Sequence, residues 1–192
     1  MAENTFRMNP LYQAVVKLQQ RLSSAGIESA VIGGIAVSMW ARPRATEDAD
    51  FKVLLDRDSA QDLLRVLQPD YAPLQANPVE ALRRNGVLFV KDSSGVRLDL
   101  QLADVSLDEA AIRRAQLIEL EPGLSARVCS AEDLLIYKII STRPLDQIDV
   151  ENIVRSQGDK LDDQYVLHWL HQLEQALDDS TLIATYQRLR RR

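Results

Sequence analysis

Gly33-Gly34-Ile35-Ala36, followed by Arg44-Ala45-Thr46-Glu47-Asp48-Ala49-Asp50, is the stretch on which the reading of this chain turns. Ser29-Ala30-Val31-Ile32 before it reads as a short buried strand, and residues 35–41 as a short helix broken by Arg42-Pro43-Arg44. A glycine pair where strand becomes helix lets the backbone approach a ligand closely, and the helix start offers unpaired N–H groups to phosphate. Glycine pairs also make ordinary turns, so the aspartates carry more weight. Residues 48–55 read as a second strand, where side chains two apart point to one face. Carboxylates so close repel one another unless water or a cation separates them. Asp48 and Asp50 therefore suit either the exposed face of an edge strand or a divalent-cation site, in which Mg²⁺ shares oxygen ligands with substrate phosphates.

A third carboxylate lies further along. In Val96-Arg97-Leu98-Asp99-Leu100-Gln101-Leu102, Asp99 interrupts an apolar strand and shares its face with Arg97 and Gln101. Alone, this is a polar strand face. Paired beside the Asp48–Asp50 strand, it would gather three carboxylates next to the glycine pair, the minimum equipment for two-metal phosphoryl or nucleotidyl transfer.

The flanking sequence supplies a mixed frame. Leu11, Ala14, Val15, Leu18 and Leu22 follow helical spacing after Pro10, with Gly26 as the stop. Ser59 is placed to cap a helix through Leu67, and residues 78–84 read as another helix. Residues 86–90 and 96–102 read as antiparallel strands joined by Lys91-Asp92-Ser93-Ser94-Gly95, which has good turn chemistry. A helix over 107–115 and a strand over 126–129 follow. From Ser130, which with Asp133 resembles a capping box, the pattern is helical, with Gly158 as a break. The predicted core includes Val31, Ile32, Val53, Leu54, Leu88, Val90, Leu98, Leu100, Leu134 and Ile139.

Composition narrows the function classes. A formal net charge of -5 argues against non-specific coating of nucleic acid, which needs a basic surface. The arginine pairs Arg42/Arg44, Arg83/Arg84 and Arg113/Arg114 read as solvated faces, and the run ending Arg190-Arg191-Arg192 as a frayed helix end. No apolar run approaches the ~20 residues of a membrane helix, and the N-terminal residues carry no signal-peptide core. The single cysteine, Cys129, excludes an internal disulfide framework and a multi-cysteine zinc site. His168 and His171 read as an ordinary helix pair, and Trp40 as core packing rather than a base-stacking platform. A soluble, cytoplasmic protein is expected.

The ordered set of glycine pair, Arg-x-Thr-x-Asp-x-Asp and a lone Asp in a later strand resembles the nucleotidyltransferase superfamily with the DNA polymerase β-type palm. Lys138-Ile139-Ile140-Ser141-Thr142-Arg143-Pro144-Leu145-Asp146-Gln147-Ile148-Asp149 is similar to the Lys-x4-Arg element and spaced aspartates of the small bacterial AbiEii/MenT-type nucleotidyltransferases, linked to abortive infection and toxin–antitoxin systems. Leu145 stands where that family often has a basic residue, and Ala49 where it has a larger aliphatic one. The resemblance implies an α/β (α+β) fold: a mixed palm sheet over residues 29–130, an N-terminal helix within 1–28 packed on it, and a helical C-terminal portion over 131–192.

It also implies an activity, the Mg²⁺-dependent transfer (Mn²⁺ as substitute) of a nucleoside monophosphate from a nucleoside triphosphate such as ATP to an acceptor hydroxyl. In that scheme Asp48, Asp50 and Asp99 are metal ligands, with Asp99 also acting as, or orienting, the base, and Lys138 stabilises the phosphates. Gly33 and Gly34 hold the triphosphate, with Arg44 and Thr46 as further phosphate contacts. The acceptor is RNA such as tRNA, a protein side chain or a small molecule of the aminoglycoside kind, and a toxin of this type has a cognate antitoxin as partner. A non-catalytic nucleotide- or partner-binding palm is the competing reading. Read alone, Asp146 and Asp149 form a solvated first helical turn.

Overall fold

Strand β1 (Ser29–Ile32) is buried at every residue and opens directly into α2 (Gly33–Trp40), as the sequence predicts. This computed structural model describes residues 8–191; residues 1–7 of the N-terminal stretch and Arg192 of the basic run lie outside that range. Strand β2 (Asp48–Val53) alternates strictly, burying Ala49, Phe51 and Val53 and leaving Asp48, Asp50 and Lys52 half-buried on the other face. Strand β5 (Arg97–Leu102) turns Leu98, Leu100 and Leu102 into the core and carries exposed Arg97, buried Asp99 and half-buried Gln101 on its other face. Period-two patterning therefore sorts each strand into a core side and a site side.

These strands sit at the centre of one mixed sheet. With β3 (Tyr71–Pro73), β4 (Val87–Asp92), β6 (Gln116–Glu121) and β7 (Leu124–Val128), the described residues form the order β3-β4-β5-β2-β1-β7-β6. β2 runs antiparallel to β1 and parallel to β5, with Asp50 opposite Ile32 on one side and Asp99 on the other. The β4–β5 hairpin is antiparallel as predicted, and Asp92 closes its turn by accepting from the N–H groups of Ser94 and Val96.

Helix α1 (Pro10–Ser24) packs on β1 and β7, and α3 (Ala60–Leu67) packs on α1 and α4 (Pro78–Asn85). Helix α5 (Ser106–Arg114) lies against β1 and β2. Helices α6 (Ala131–Ile139), α7 (Pro144–Gln157), α8 (Asp163–Leu177) and α9 (Leu182–Arg190) form the helical C-terminal portion, with α6 and α7 both touching α2. Ser130 caps α6 by accepting from the Asp133 N–H, while its hydroxyl donates to the Asp133 carboxylate. No described helix is long and apolar enough to cross a membrane.

Four expectations need correction. β2 ends at Val53, so Leu54 is half-buried, its N–H held by the Glu28 carbonyl. Ser59 makes no side-chain cap, because a single 3₁₀ turn, Arg57–Ser59, leads into α3. β3 and β6 were not predicted. Both are edge strands with little to bury, so the hydrophobic pattern is faint, although Pro122-Gly123 marks the β6–β7 turn.

Candidate active site

Gly33 has φ +65°, a conformation that a side chain makes costly, and a Cβ built there would lie 2.7 Å from Asp50 Cγ. A Cβ at Gly34 would come within 2.8 Å of Thr46 Oγ1. The glycine pair is thus the floor against which two side chains of the next strand and its approach loop are packed. Thr46 in turn donates to the main-chain oxygen and Oδ1 of Asp48, each at 3.2 Å, which fixes that carboxylate.

Asp50 and Asp99 are direct partners in the β2–β5 register, so their Cα atoms lie about 5 Å apart, and Asp48 lies about 8 Å from Asp99 by strand geometry. Burial pushes the Asp50 carboxyl up to about 6, with repulsion from Asp48 and then Asp99 adding to it and Lys138 and Arg143 opposing it. Asp99 is gripped on both oxygens by Arg97, at 2.7 and 2.8 Å, and the Arg97 guanidinium lies 4.6 Å from the Phe89 ring centre.

Lys138 lies at the base of α6 in a chain of alternating charge. Its ammonium meets Asp146 and, at 3.1 Å, Asp149; Asp149 accepts both Nε and a terminal nitrogen of Arg44 at 3.2 Å. Asp146 also accepts from Ser141 and Arg143. Burial would raise the Asp146 carboxyl, but the hydrogen bonds from Lys138, Ser141 and Arg143 outweigh it and hold it below the usual range. Asp146 and Asp149 are each 1% exposed, so the solvated first turn expected from sequence is instead a buried network. Sequence reasoning saw helical spacing and missed that α7 docks this face on α6. Arg44, expected at a phosphate, is engaged with Asp149.

The glycine pair, Thr46, the three carboxylates, Arg44, Arg97, Lys138 and Arg143 line one cleft of about 740 Å³; Phe89, Ser141, Asp146 and Asp149 stand outside its lining, the last two bound to Lys138. The other end of the cleft holds a trio that sequence reading did not single out. Asp108 of α5 binds Lys52 at 2.9 Å and accepts from the Tyr137 hydroxyl at 2.8 Å. Burial and Asp108 push that phenol up. Lys52 follows Asp50 at the same two-residue spacing, the one signal that could have placed it there. Trp40 donates its indole N–H to the Cys129 carbonyl at 2.7 Å, the packing role expected, and His168 and His171 are exposed.

No protein-family model matches the chain, and no curated protein matches it in sequence. Solved structures do. An antigenic nucleotidyltransferase-like protein from Paracoccidioides brasiliensis superposes with a TM-score of 0.55 at 18% identity, covering 91% of this chain and 92% of that one. The antibiotic-resistance factor ANT(2'')-Ia superposes with a TM-score of 0.59 at 12% identity, covering 87% of this chain and 94% of that one. The chain has the nucleotidyltransferase fold. A crystal structure of ANT(2'')-Ia in complex with adenylyl-2''-tobramycin also matches, with a TM-score of 0.55 at 15% identity over 79% of this chain and 92% of that one.

A nucleotidyltransferase fold raises the question of a divalent cation, and the donor chemistry here fits one. Asp48, Asp50 and Asp99 offer only hard carboxylate oxygens, and among the described residues Asp50 has no ion pair to offset its neighbours' charge. Among the described residues no three His, Cys, Asp or Glu side chains stand together in an arrangement that by itself holds a metal ion. Mg²⁺ does not need one, since it keeps waters and takes substrate phosphate oxygens. Asp48 accepts from Thr46 through one oxygen, whereas both oxygens of Asp99 are engaged by Arg97.

Proposed function

We propose that this protein transfers a nucleoside monophosphate from a nucleoside triphosphate to an acceptor hydroxyl. The observation that carries the reading is the β2–β5 register, which seats Asp50 beside Asp99 next to the Gly33-Gly34 turn. In this reading Asp48 and Asp50 hold Mg²⁺, or Mn²⁺, with the triphosphate, and Asp99 shares a second ion. When bound, the cation neutralises phosphate charge and acidifies the acceptor hydroxyl.

The chain's own residues do the rest. The amide groups after Gly33 and Gly34 take phosphate oxygens at the start of α2. Thr46 holds Asp48 in place for its ligand role. Asp99 receives the proton of the acceptor hydroxyl as its oxygen bonds to the α-phosphorus and pyrophosphate leaves. Lys138 and Arg44 exchange carboxylates for phosphate oxygens, stabilising charge as the leaving group departs.

For the acceptor, cleft charge favours RNA. Beyond the three site carboxylates, the lining acid is Asp108, and Lys52 already neutralises it. Nothing acidic in the lining is left to hold a polycation, whereas Arg143, paired with Asp146 through Nε alone, presents the rest of an exposed guanidinium to phosphate. A toxin-type enzyme with a cognate antitoxin is the corresponding biological role. The second reading, a small-molecule acceptor, is supported by the shared fold of ANT(2'')-Ia, solved with adenylyl-2''-tobramycin.

The deciding experiment incubates the protein and its Asp48→Asn variant with each α-labelled triphosphate, Mg²⁺ and, separately, total RNA, total protein or tobramycin. Label entering RNA in the unaltered protein alone is the expected result. Label entering tobramycin instead selects the second reading, and no pyrophosphate release with any acceptor overturns transfer.

A further inference from the structure

Each site carboxylate is held differently. Asp50 has no ion pair among the described residues, Asp48 accepts from the Thr46 hydroxyl, and Asp99 has both oxygens occupied by one guanidinium. The Asp99 side chain is 10% exposed, so water competes little for it, whereas its Arg97 partner is 43% exposed and lines the cleft. Arg97 is also supported from the other side. It rests on Phe89, which is the β4 partner of Asp99 in the β4–β5 register, while in the β2–β5 register Arg97 itself lies opposite Asp48. The guanidinium therefore stands at the edge of the carboxylate group, bound where a cation shared by Asp99 would otherwise sit.

We infer that Arg97 is a positioning residue that withholds Asp99 from the cation site until a phosphate of the acceptor takes over its guanidinium. The inference rests on the transfer reading above and adds to it the order in which the site is completed. A planar fork that grips a carboxylate at two points also fits a phosphate at two points, so the exchange conserves the hydrogen bonds of Arg97. The stack on Phe89 keeps the guanidinium near the cleft in either arrangement. The device has a clear use. With Asp99 already serving a second cation and no acceptor present, water would attack the α-phosphorus. Its oxygen would bond to phosphorus, pyrophosphate would leave, the proton would pass to Asp99, and the triphosphate would be wasted.

The test is Mn²⁺ binding to the full chain, followed by electron paramagnetic resonance with a non-hydrolysable triphosphate and no acceptor. The unaltered protein is expected to bind one ion tightly. Arg97→Gln is expected to bind a second at least about tenfold more tightly than the unaltered protein does, the scale of losing one charge-assisted bidentate pair. Phe89→Leu, which keeps every charge, should show a smaller gain in the same direction and serves if Arg97→Gln fails to fold. Acceptor-free hydrolysis of triphosphate should rise in both variants.

Arg143→Gln removes a different cation of the same cleft and should leave the second ion weak. An equal gain in Arg143→Gln would mean that only net charge matters and would overturn the inference. An unchanged second site in both Arg97→Gln and Phe89→Leu would overturn it too, with the transfer reading left standing. Absence of any Mn²⁺ binding in every protein would instead bring down the cation site and the transfer reading together.

Discussion

Gly33 and Asp50 occupy each other's space: the missing side chain at Gly33 is what leaves room for the Asp50 carboxyl. The backbone angle at Gly33, +65°, would by itself cost a side chain roughly 1–2 kcal/mol. Gly33→Ala is therefore expected to lower stability by at least that amount and to push Asp50 off its position. Urea unfolding reads the first effect and triphosphate binding in Mg²⁺ the second. Normal binding in a destabilised Gly33→Ala protein would show that the turn serves only the fold.

Gly34 has a different constraint. Its backbone is ordinary, but a Cβ there would meet Thr46 Oγ1 at 2.8 Å and Thr46 Cβ at 3.0 Å. Gly34→Val should displace the residue that holds Asp48, weakening triphosphate binding and costing about 1–3 kcal/mol of overpacking. Coupling with Thr46→Ala checks the route: the double variant should lose less than the sum of the two single ones.

The raised Asp50 carboxyl makes metal-free stability depend on pH. Its unfolded value is 3.8 and its folded value about 6, so the native state holds the proton longer. Between these values the unfolded chain ionises first, and stability falls as pH rises; below the window the contribution is intact, and above it the loss is complete. The melting temperature of Asp50→Asn minus that of the unaltered protein should therefore be larger at pH 7.5 than at pH 4. Added Mg²⁺ should shrink the difference at pH 7.5 by stabilising only the protein that keeps the carboxylate. A pH-independent difference would mean that neither burial nor the neighbouring carboxylates hold the proton on Asp50.

Lys138 is held by two carboxylates that are themselves almost wholly buried, and Asp149 serves Arg44 as well. Asp149→Ala leaves both cations short of a partner and is expected to cost about 3–5 kcal/mol, the usual result of removing one member of a buried ion pair. Chemical denaturation measures it. A loss under about 1 kcal/mol would mean that water compensates the cations and that the network is a surface one.

The three carboxylates should separate by role. Asp48→Asn and Asp50→Asn are expected to abolish transfer and weaken Mg²⁺-dependent triphosphate binding. Asp99→Asn should abolish transfer while leaving triphosphate binding nearly intact. Isothermal titration beside a pyrophosphate-release assay distinguishes these outcomes, and transfer that survives loss of Asp99 would place the base elsewhere.

What the sequence determined by itself was local. The alternation of Asp48, Asp50 and Lys52 with Ala49, Phe51 and Val53 dictates which side of β2 faces the cleft, because a strand turns its side chains over at every residue. The same rule sorts β5, and the glycine pair marks the only kind of backbone that fits the turn into α2. What tertiary structure alone decided was which surfaces meet. Whether Asp99 stands beside Asp50 depends on the β2–β5 pairing, and no spacing within either strand specifies its neighbour or register. Asp146 and Asp149 show the same division: their helical spacing was legible, and Arg143 lies within one turn of Asp146, but their burial and their partners Lys138 and Arg44 exist only once α7 packs on α6 and α2. Arg97 and Thr46, which hold Asp99 and Asp48, lie two residues away from them in sequence. The Asp99 carboxylate that crowds Asp50 and the pairing of Asp149 with Arg44 come from segments distant in the chain, and only the packed fold brings them together.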